Sequence, residues 1–362
     1  MNNYSCARCG KHFIRKEHYE YHNLHKEFCK PSVGKVNIDV RNIKHGLKKT
    51  EKMPPSSKSD TLTSKTQPIC KPFLKWIGGK TQIIDRIISK IPKEINNYHE
   101  LFLGGGSVLF AVLSLQRQNE IVIKNRIYAY DINKTLINVY KNIQTNKDEL
   151  FNFIELYINE YDNITGVLVN RNPTTIEEAM TSKESYYYWL RNKYNNMDKN
   201  TVECSALFMI INKICFRGMY REGPNGYNVP YGHYKKTPKI ISKCQLDYIS
   251  NLIKDVEFSH CGFRESIKKI KKGDFVYLDP PYVPVKSSSF VKYVANGFDL
   301  ETHKLLFYEL KKLNGVNFVL SNAKVDLVME TFKGYNCENV LARRAINAKN
   351  PASKALEVLI YN

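Results

Sequence analysis

The segment Phe275-Val276-Tyr277-Leu278-Asp279-Pro280-Pro281-Tyr282 limits what this chain can fold into more than any other. Four consecutive large apolar or aromatic residues offer no polar face, which is the pattern of a buried strand. Two successive prolines then end that strand, because they remove two backbone donors and fix two φ angles. The carbonyls at this point stay free to accept hydrogen bonds from something outside the sheet. Asp279 and the Pro280 carbonyl form a pair of acceptors suited to an exocyclic amine, Pro281 keeps the turn rigid, and Tyr282 can stack on the ring that carries the amine. A proline-punctuated loop with no function is the competing reading. It is common after Asp-Pro alone and rare for all four residues behind a buried strand.

Strand-like runs at residues 99–103, 127–130, 317–320 and 356–361 alternate with amphipathic stretches at 81–91 and 135–157, so the expected class is α/β. Between about 150 and 245 the strand signal gives way to Tyr-, Asn- and Lys-rich sequence, read as an inserted, mainly helical domain. The 362 residues suffice for about two domains. No apolar run approaches the roughly 18–20 residues that span a bilayer, and no internal repeat is visible. The start, Met1 to Cys6, has none of the marks of a secretory leader. An intracellular protein, not secreted and without a membrane, is the expectation. A net charge of +20 selects a polyanion as partner, nucleic acid first. Codon bias competes as an explanation, since Lys, Asn, Ile and Tyr all have A/T-rich codons. The oligomeric state is left open by the sequence, with a monomer as the working expectation.

Nine cysteines without a disulfide-like framework suit a reducing compartment, and three of them fall within the first thirty residues. Cys6 and Cys9, followed by Phe13, Tyr19 and His22, have the spacing by which a hairpin and a helix place two thiolates and an imidazole around zinc. Cys29 is favoured as fourth ligand, with His25 as the alternative; the segment resembles Cys/Cys/His/Cys zinc fingers. Residues 1–30 are therefore expected to form a structural zinc finger that contacts DNA or a protein partner. Residues 31–70, with Lys48-Lys49 and Pro54-Pro55-Ser56-Ser57, read as a basic flexible linker, and 71–362 as the main domain.

Two glycine clusters open that domain. Gly78-Gly79-Lys80-Thr81 mimics a phosphate-binding loop, but Leu74 stands where the first glycine is required and no strand leads in, which excludes a nucleoside triphosphatase of that kind. Gly104-Gly105-Gly106-Ser107 follows a strand and opens a helix, the geometry that brings backbone close to a ligand; a plain tight turn would look the same. Asp131, ending the next strand, can accept from ribose hydroxyls or can act as a helix cap.

Together these segments resemble a family. Trp76 to Lys80, Phe102 to Ser107, Asp131 to Asn133, Asn212 to Gly232, Asp279 to Tyr282 and Arg343-Arg344 occur in the order seen in the Dam-like, D12-class, adenine-specific DNA methyltransferases. The resemblance covers about residues 71–362. It implies a Rossmann-like sheet dependent on S-adenosylmethionine, with the insertion as a target-recognition domain for double-stranded DNA. Carried over residue by residue, Trp76, Lys80, Glu100, Phe102, Gly104, Gly106, Ser107, Asp131 and Phe263 belong to the cofactor site. Asp279 is shared between cofactor and base, and Asp279, Pro280, Pro281 and Tyr282 are catalytic. Phe290 and Tyr293 match a loop over the extruded base. Lys213, Arg217, Met219, Arg221, Asn228 and Pro230 lie in the segment resembling the DNA-reading hairpin, where Arg221 can read guanine and Arg217 or Met219 can fill the space of a flipped base. Arg217 stands where relatives carry a small amide, which leaves the recognised sequence open. The implied activity is methylation of adenine N6, with cytosine N4 and a catalytically inactive DNA-binding relative as alternatives.

Overall fold

The computed structural model describes residues 4–6, 12–13, 19, 68–284, 298–343 and 354–362. The chain divides into two compact units, Met1–Thr63 and Ser64–Asn362. In the smaller one, Tyr4–Ser5 pairs antiparallel with His12–Phe13, and the Tyr4 ring stacks on Tyr19 at 5.7 Å between centroids.

The zinc finger expected here is corrected. Among the described residues no group of three or more His, Cys, Asp or Glu side chains is placed to hold a metal ion. A tetrahedral site needs four converging donors. Of the four anticipated ligands only Cys6, which is buried, is described; Cys9, His22 and Cys29 lie outside the described residues, as does the alternative His25. Zinc is accordingly not carried forward as a cofactor, nor a finger as part of the fold class. Of the linker expected at 31–70, residues 31–67 also lie outside the described residues.

The larger unit is built on a seven-stranded sheet of β1 (Tyr98–Glu100), β2 (Ile127–Asp131), β3 (Val256–His260), β4 (Phe275–Leu278), β5 (Asn317–Ala323), β6 (Asn336–Arg343) and β7 (Lys354–Tyr361). Their spatial order is β6-β7-β5-β4-β1-β2-β3. The five strands from β5 to β3 are parallel, whereas β7 runs antiparallel to both β5 and β6. All four residues of β4 are buried, as its continuous apolar sequence requires of a central strand. After β3 the chain returns to the far side of β1 to form β4. This reversal opens a crevice at the carboxyl ends of β1 and β4, the usual ligand position in open α/β sheets.

Helices α1 (Ser107–Arg117) and α2 (Lys134–Thr145) follow β1 and β2. The insertion carries α3 (Lys147–Asn163), α4 (Lys183–Asn196) and α5 (Val202–Ile214), then a small ladder of Glu222–Gly223 with Gly226–Tyr227. α6 (Lys243–Leu252) leads into β3, and α7 (Leu300–Lys311) connects β4 to β5. Asn133, Ser182, Thr201, Ser242 and Asp299 each cap a helix with a side-chain oxygen. α5 is apolar enough to be buried from Ala206 to Ile211. Around it, buried phenols find acceptors, as Tyr187 does at the Val229 carbonyl, 2.7 Å away.

Two expectations differ in detail. Residues 135–157 form parts of two helices, because Asn146 adopts φ −130°, ψ 31° and breaks the ladder between α2 and α3. Residues 81–91 yield only a 3-10 turn, Lys80–Gln82, and a short helix, Ile84–Ile88, separated at Ile83. β6 was not anticipated: as an edge strand with Asn336, Glu338 and Asn339 it shows no clean alternation.

Candidate active site

The glycine loop leaves β1 and turns into α1 through Gly104 at φ +50° and Gly106 at φ +69°, left-handed conformations that favour glycine. A Cβ on Gly104 would lie 2.8 Å from Trp76 Cδ1, so the indole lies directly on the loop. Trp76 in turn stacks on Tyr220 of the insertion, 5.2 Å between centroids. Asp131 fastens the same loop: Oδ2 accepts from the Gly104 amide at 2.9 Å and Oδ1 from the Asn133 amide at 2.9 Å. Burial raises its carboxyl above the ordinary range, and these amides oppose the rise. Ser107 accepts from the Lys80 amide at 3.0 Å.

Glu100, buried at the end of β1, accepts from the Tyr98 hydroxyl at 2.6 Å. Burial pushes its carboxyl up to about 8, helped by the charges of Asp279 and Asp131. Three carboxyl groups thus converge where β1, β2 and β4 end. Lys80 answers Asp279: its Nζ lies 2.5 Å from Asp279 Oδ2, 2.5 Å from the Gly78 carbonyl and 5.2 Å from the centre of the Tyr282 ring. Burial raises the Asp279 carboxyl; Lys80 opposes the rise and Glu357 adds to it.

The residues after Asp279 are held from three further elements. His303 Nε2 of α7 lies 2.8 Å from the Pro281 carbonyl, the Tyr282 hydroxyl donates to Glu357 Oε2 of β7 at 2.9 Å, and Asn322 Oδ1 of β5 accepts from the Val283 amide at 3.1 Å. The Pro280 carbonyl binds no donor among the described residues. Beside the loop, Phe102, Phe263 and Phe298 form an aromatic group with centroid separations of 5.9–6.3 Å.

Asn212, at the end of α5, joins this region to the insertion. Its amide donates to the Lys75 carbonyl at 2.8 Å and accepts from the Lys75 amide at 2.9 Å, immediately before Trp76. Lys213 is half-buried, and burial, with Lys75 nearby, lowers its ammonium to about 8. Arg217 is exposed at φ 56°, and Met219 is half-buried. Arg221 is exposed and donates from Nε to Asn228 Oδ1 at 2.6 Å and from Nη2 to the Asn228 carbonyl at 3.2 Å, while exposed Pro230 accepts from the Phe216 amide at 2.8 Å.

The structure therefore gathers Trp76, Lys80, Glu100, Gly104, Gly106, Ser107, Asp131 and the Asp279–Tyr282 turn at one end of the sheet, with Phe102 and Phe263 packed together beside it. Lys213, Arg217, Met219, Arg221, Asn228 and Pro230 lie on the loop and ladder after α5. Phe290, Tyr293 and Arg344 lie outside the described residues. Sequence reasoning named Asn212 only as the start of a matched segment, and missed His303, Asn322 and Glu357. Glu357 alone carried a signal, being the one charge in the apolar run 355–361.

At the crevice of this mixed sheet a glycine loop, clustered carboxylates and an Asp-Pro-Pro-Tyr turn lie together, the arrangement of an α/β enzyme with its ligand at the carboxyl ends of the strands. The sequence profile of the D12 class N6 adenine-specific DNA methyltransferases matches residues 76–346. The type II methyltransferase M.MjaIII of Methanocaldococcus jannaschii is 35% identical over 310 residues, 81% of this chain and 99% of the relative. M1.LlaDCHI of Lactococcus lactis subsp. cremoris is 32% identical, covering 83% of this chain and 98% of the relative. The DNA adenine methylase of Haemophilus influenzae is 27% identical, over 78% and 90%.

The chain belongs to the D12 class N6 adenine-specific DNA methyltransferase family. It is a site-specific DNA methyltransferase that uses S-adenosylmethionine and acts on adenine N6. The cytosine and binding-only alternatives fall with that assignment. Among the described residues no helix is long and apolar enough to cross a membrane.

Proposed function

We propose that the methyl group is transferred at the turn after β4, to an adenine extruded from double-stranded DNA. The acceptor pair carries this reading: the Asp279 carboxylate held by Lys80, beside the Pro280 carbonyl, which binds no donor among the described residues. Each accepts one hydrogen of the adenine N6 amine, which draws the nitrogen lone pair out of conjugation with the ring. Pro281 keeps the turn rigid, and Tyr282 stacks on the base. The extra proton on N6 becomes acidic once the methyl has arrived, so alignment and electrostatics carry most of the rate and no strong base is needed. A base inside a duplex cannot reach this turn, so it must flip, at a cost of a few kcal/mol.

The chemistry of the crevice suits S-adenosylmethionine, which supplies a cationic sulfonium methyl. Three carboxyl groups converge there beside hydroxyl- and amine-accepting backbone, and an aromatic group adjoins them. Glu100, Asp131 and Asp279 would meet its donors, Trp76, Lys80, Gly104, Gly106 and Ser107 would form the wall of its site, and Phe102 with Phe263 would take its adenine ring. Lys213, Arg217, Met219, Arg221, Asn228 and Pro230 would hold the DNA, with Lys213 on phosphate and Arg221 on a base edge. An intracellular location, where the target DNA resides, and a monomer go with this reading.

The test is transfer of labelled methyl to adenine-unmethylated duplex DNA, followed by nucleoside analysis. Label should appear in N6-methyladenine. Asp279→Ala should abolish it while the thermal transition persists; a variant of near-parental rate would refute the assignment.

A further inference from the structure

The three elements that hold the turn differ in what they grip. His303 and Asn322 bind main-chain atoms, at Pro281 O and Val283 N, and so fix the path of the loop. Glu357 alone binds a side chain that faces the base in the proposed reaction, accepting from the Tyr282 hydroxyl at 2.9 Å. A phenol anchored only at Cβ can swing about two torsions; one held also at its far tip has its ring plane fixed. Lys80 Nζ completes the frame, 5.2 Å from the ring centre and 2.5 Å from Asp279. The ring and the acceptor carboxylate are thus set relative to each other through a single cation. Placing Glu357 here costs something: it faces Ala323 of β5 and Val340 of β6 in a strand whose next three residues are fully buried. The phenol supplies the hydrogen bond that compensates it.

We infer that Glu357 is a positioning residue for methyl transfer: acting through the Tyr282 hydroxyl, it sets the ring plane against which the target adenine stacks. This rests on the reading of Tyr282 as the stacking residue. Burial, and then the negative charges of Asp279 and Glu357, hold the phenol well above its ordinary range, so it remains a donor throughout the working pH.

The experiment is a double-mutant cycle in the full chain: parent, Tyr282→Phe, Glu357→Ala and the double variant, with Glu357→Gln and Tyr282→Ala alongside. Single-turnover transfer from labelled S-adenosylmethionine to adenine-unmethylated genomic DNA is measured, and cofactor affinity by calorimetry. Tyr282→Phe and Glu357→Ala should each slow transfer about tenfold, the worth of one charge-assisted hydrogen bond, and the double variant should be no slower than either. Glu357→Gln, whose amide oxygen still accepts, should recover most of the loss, and cofactor affinity should be unchanged in all of them. Losses that multiply in the double variant would overturn the inference. So would a Gln variant no better than the Ala variant, or cofactor binding that weakens in step with the rate. If Glu357→Ala does not fold, Glu357→Leu, which fills similar space without an acceptor, takes its place in the cycle, and its loss must vanish in the Tyr282→Phe background. A near-parental rate in Tyr282→Ala would instead refute the stacking role of Tyr282.

Discussion

Removing the ammonium of Lys80 tests the electrostatics of the site most directly. Lys80 Nζ and Asp279 Oδ2 are 2.5 Å apart, with side chains only 6% and 20% exposed. At an effective dielectric of about 20, two unit charges so placed attract by about 6–7 kcal/mol, and desolvation of both ions offsets much of it. What survives is a lowering of the Asp279 pKa by Lys80, set against the rise that burial imposes. Lys80→Gln takes that away and leaves the two raising influences, burial and Glu357. In the proposed transfer Asp279 must be ionised to accept from the amine, so the acid limb of the rate profile should move to higher pH. Stability follows the same sign. A carboxyl raised in the folded state favours folding below its unfolded pKa, and that contribution is lost as pH rises through the folded value. The melting deficit of Lys80→Gln against the parent should therefore grow with pH. The assay is single-turnover transfer at saturating cofactor, from mildly acidic to mildly basic pH. Lys80→Arg keeps the charge and should keep the limb in place even where the rate falls. An acid limb at the parental pH in Lys80→Gln would refute the reasoning.

Two further perturbations probe the glycine-loop side. Glu100 is raised from 4.5 to about 8 by burial, so it favours the folded state below about pH 4.5 and that contribution is lost as pH rises through 8. Glu100→Gln should melt higher than the parent at pH 8, by at most a few kcal/mol of stability, with the gain shrinking towards pH 5; a gain independent of pH in thermal melts would contradict the assignment. Gly104→Ala places a methyl 2.8 Å from Trp76 Cδ1 at φ +50°. It should cost about 1–2 kcal/mol for the backbone alone and displace the indole. A shifted tryptophan emission and weaker cofactor binding are the readouts, and unchanged values of both would show that the loop does not depend on the close approach.

How much of this was legible in the sequence depends on whether the signal was local. β4 could be placed residue for residue, because four buried apolar positions and two prolines leave no other reading, and the glycine loop could be placed because a strand ends and a helix begins around it. The break at Asn146 could not: the apolar period runs across it, and only a backbone angle marks the change of helix. The zinc ligands show the opposite failure. A spacing suggestive of a metal site is a statement about four residues, and among the described residues no such cluster forms.

The contacts that hold the turn after β4 were hidden for a different reason. Lys80 reaches Asp279 across 199 positions, and Glu357 reaches Tyr282 across 75. No local pattern encodes a meeting at that distance; it follows from strand order and register. Glu357 arrives because β7 reverses direction beside β5, opposing it to Ala323 one residue beyond Asn322, which itself binds Val283. A slip of one residue in that pairing would turn the carboxylate to the other face of the sheet and leave the phenol without its acceptor. The register of the antiparallel pair at the sheet's edge thus decides whether the Tyr282 hydroxyl has its acceptor, while the tetrapeptide itself would read the same in either case.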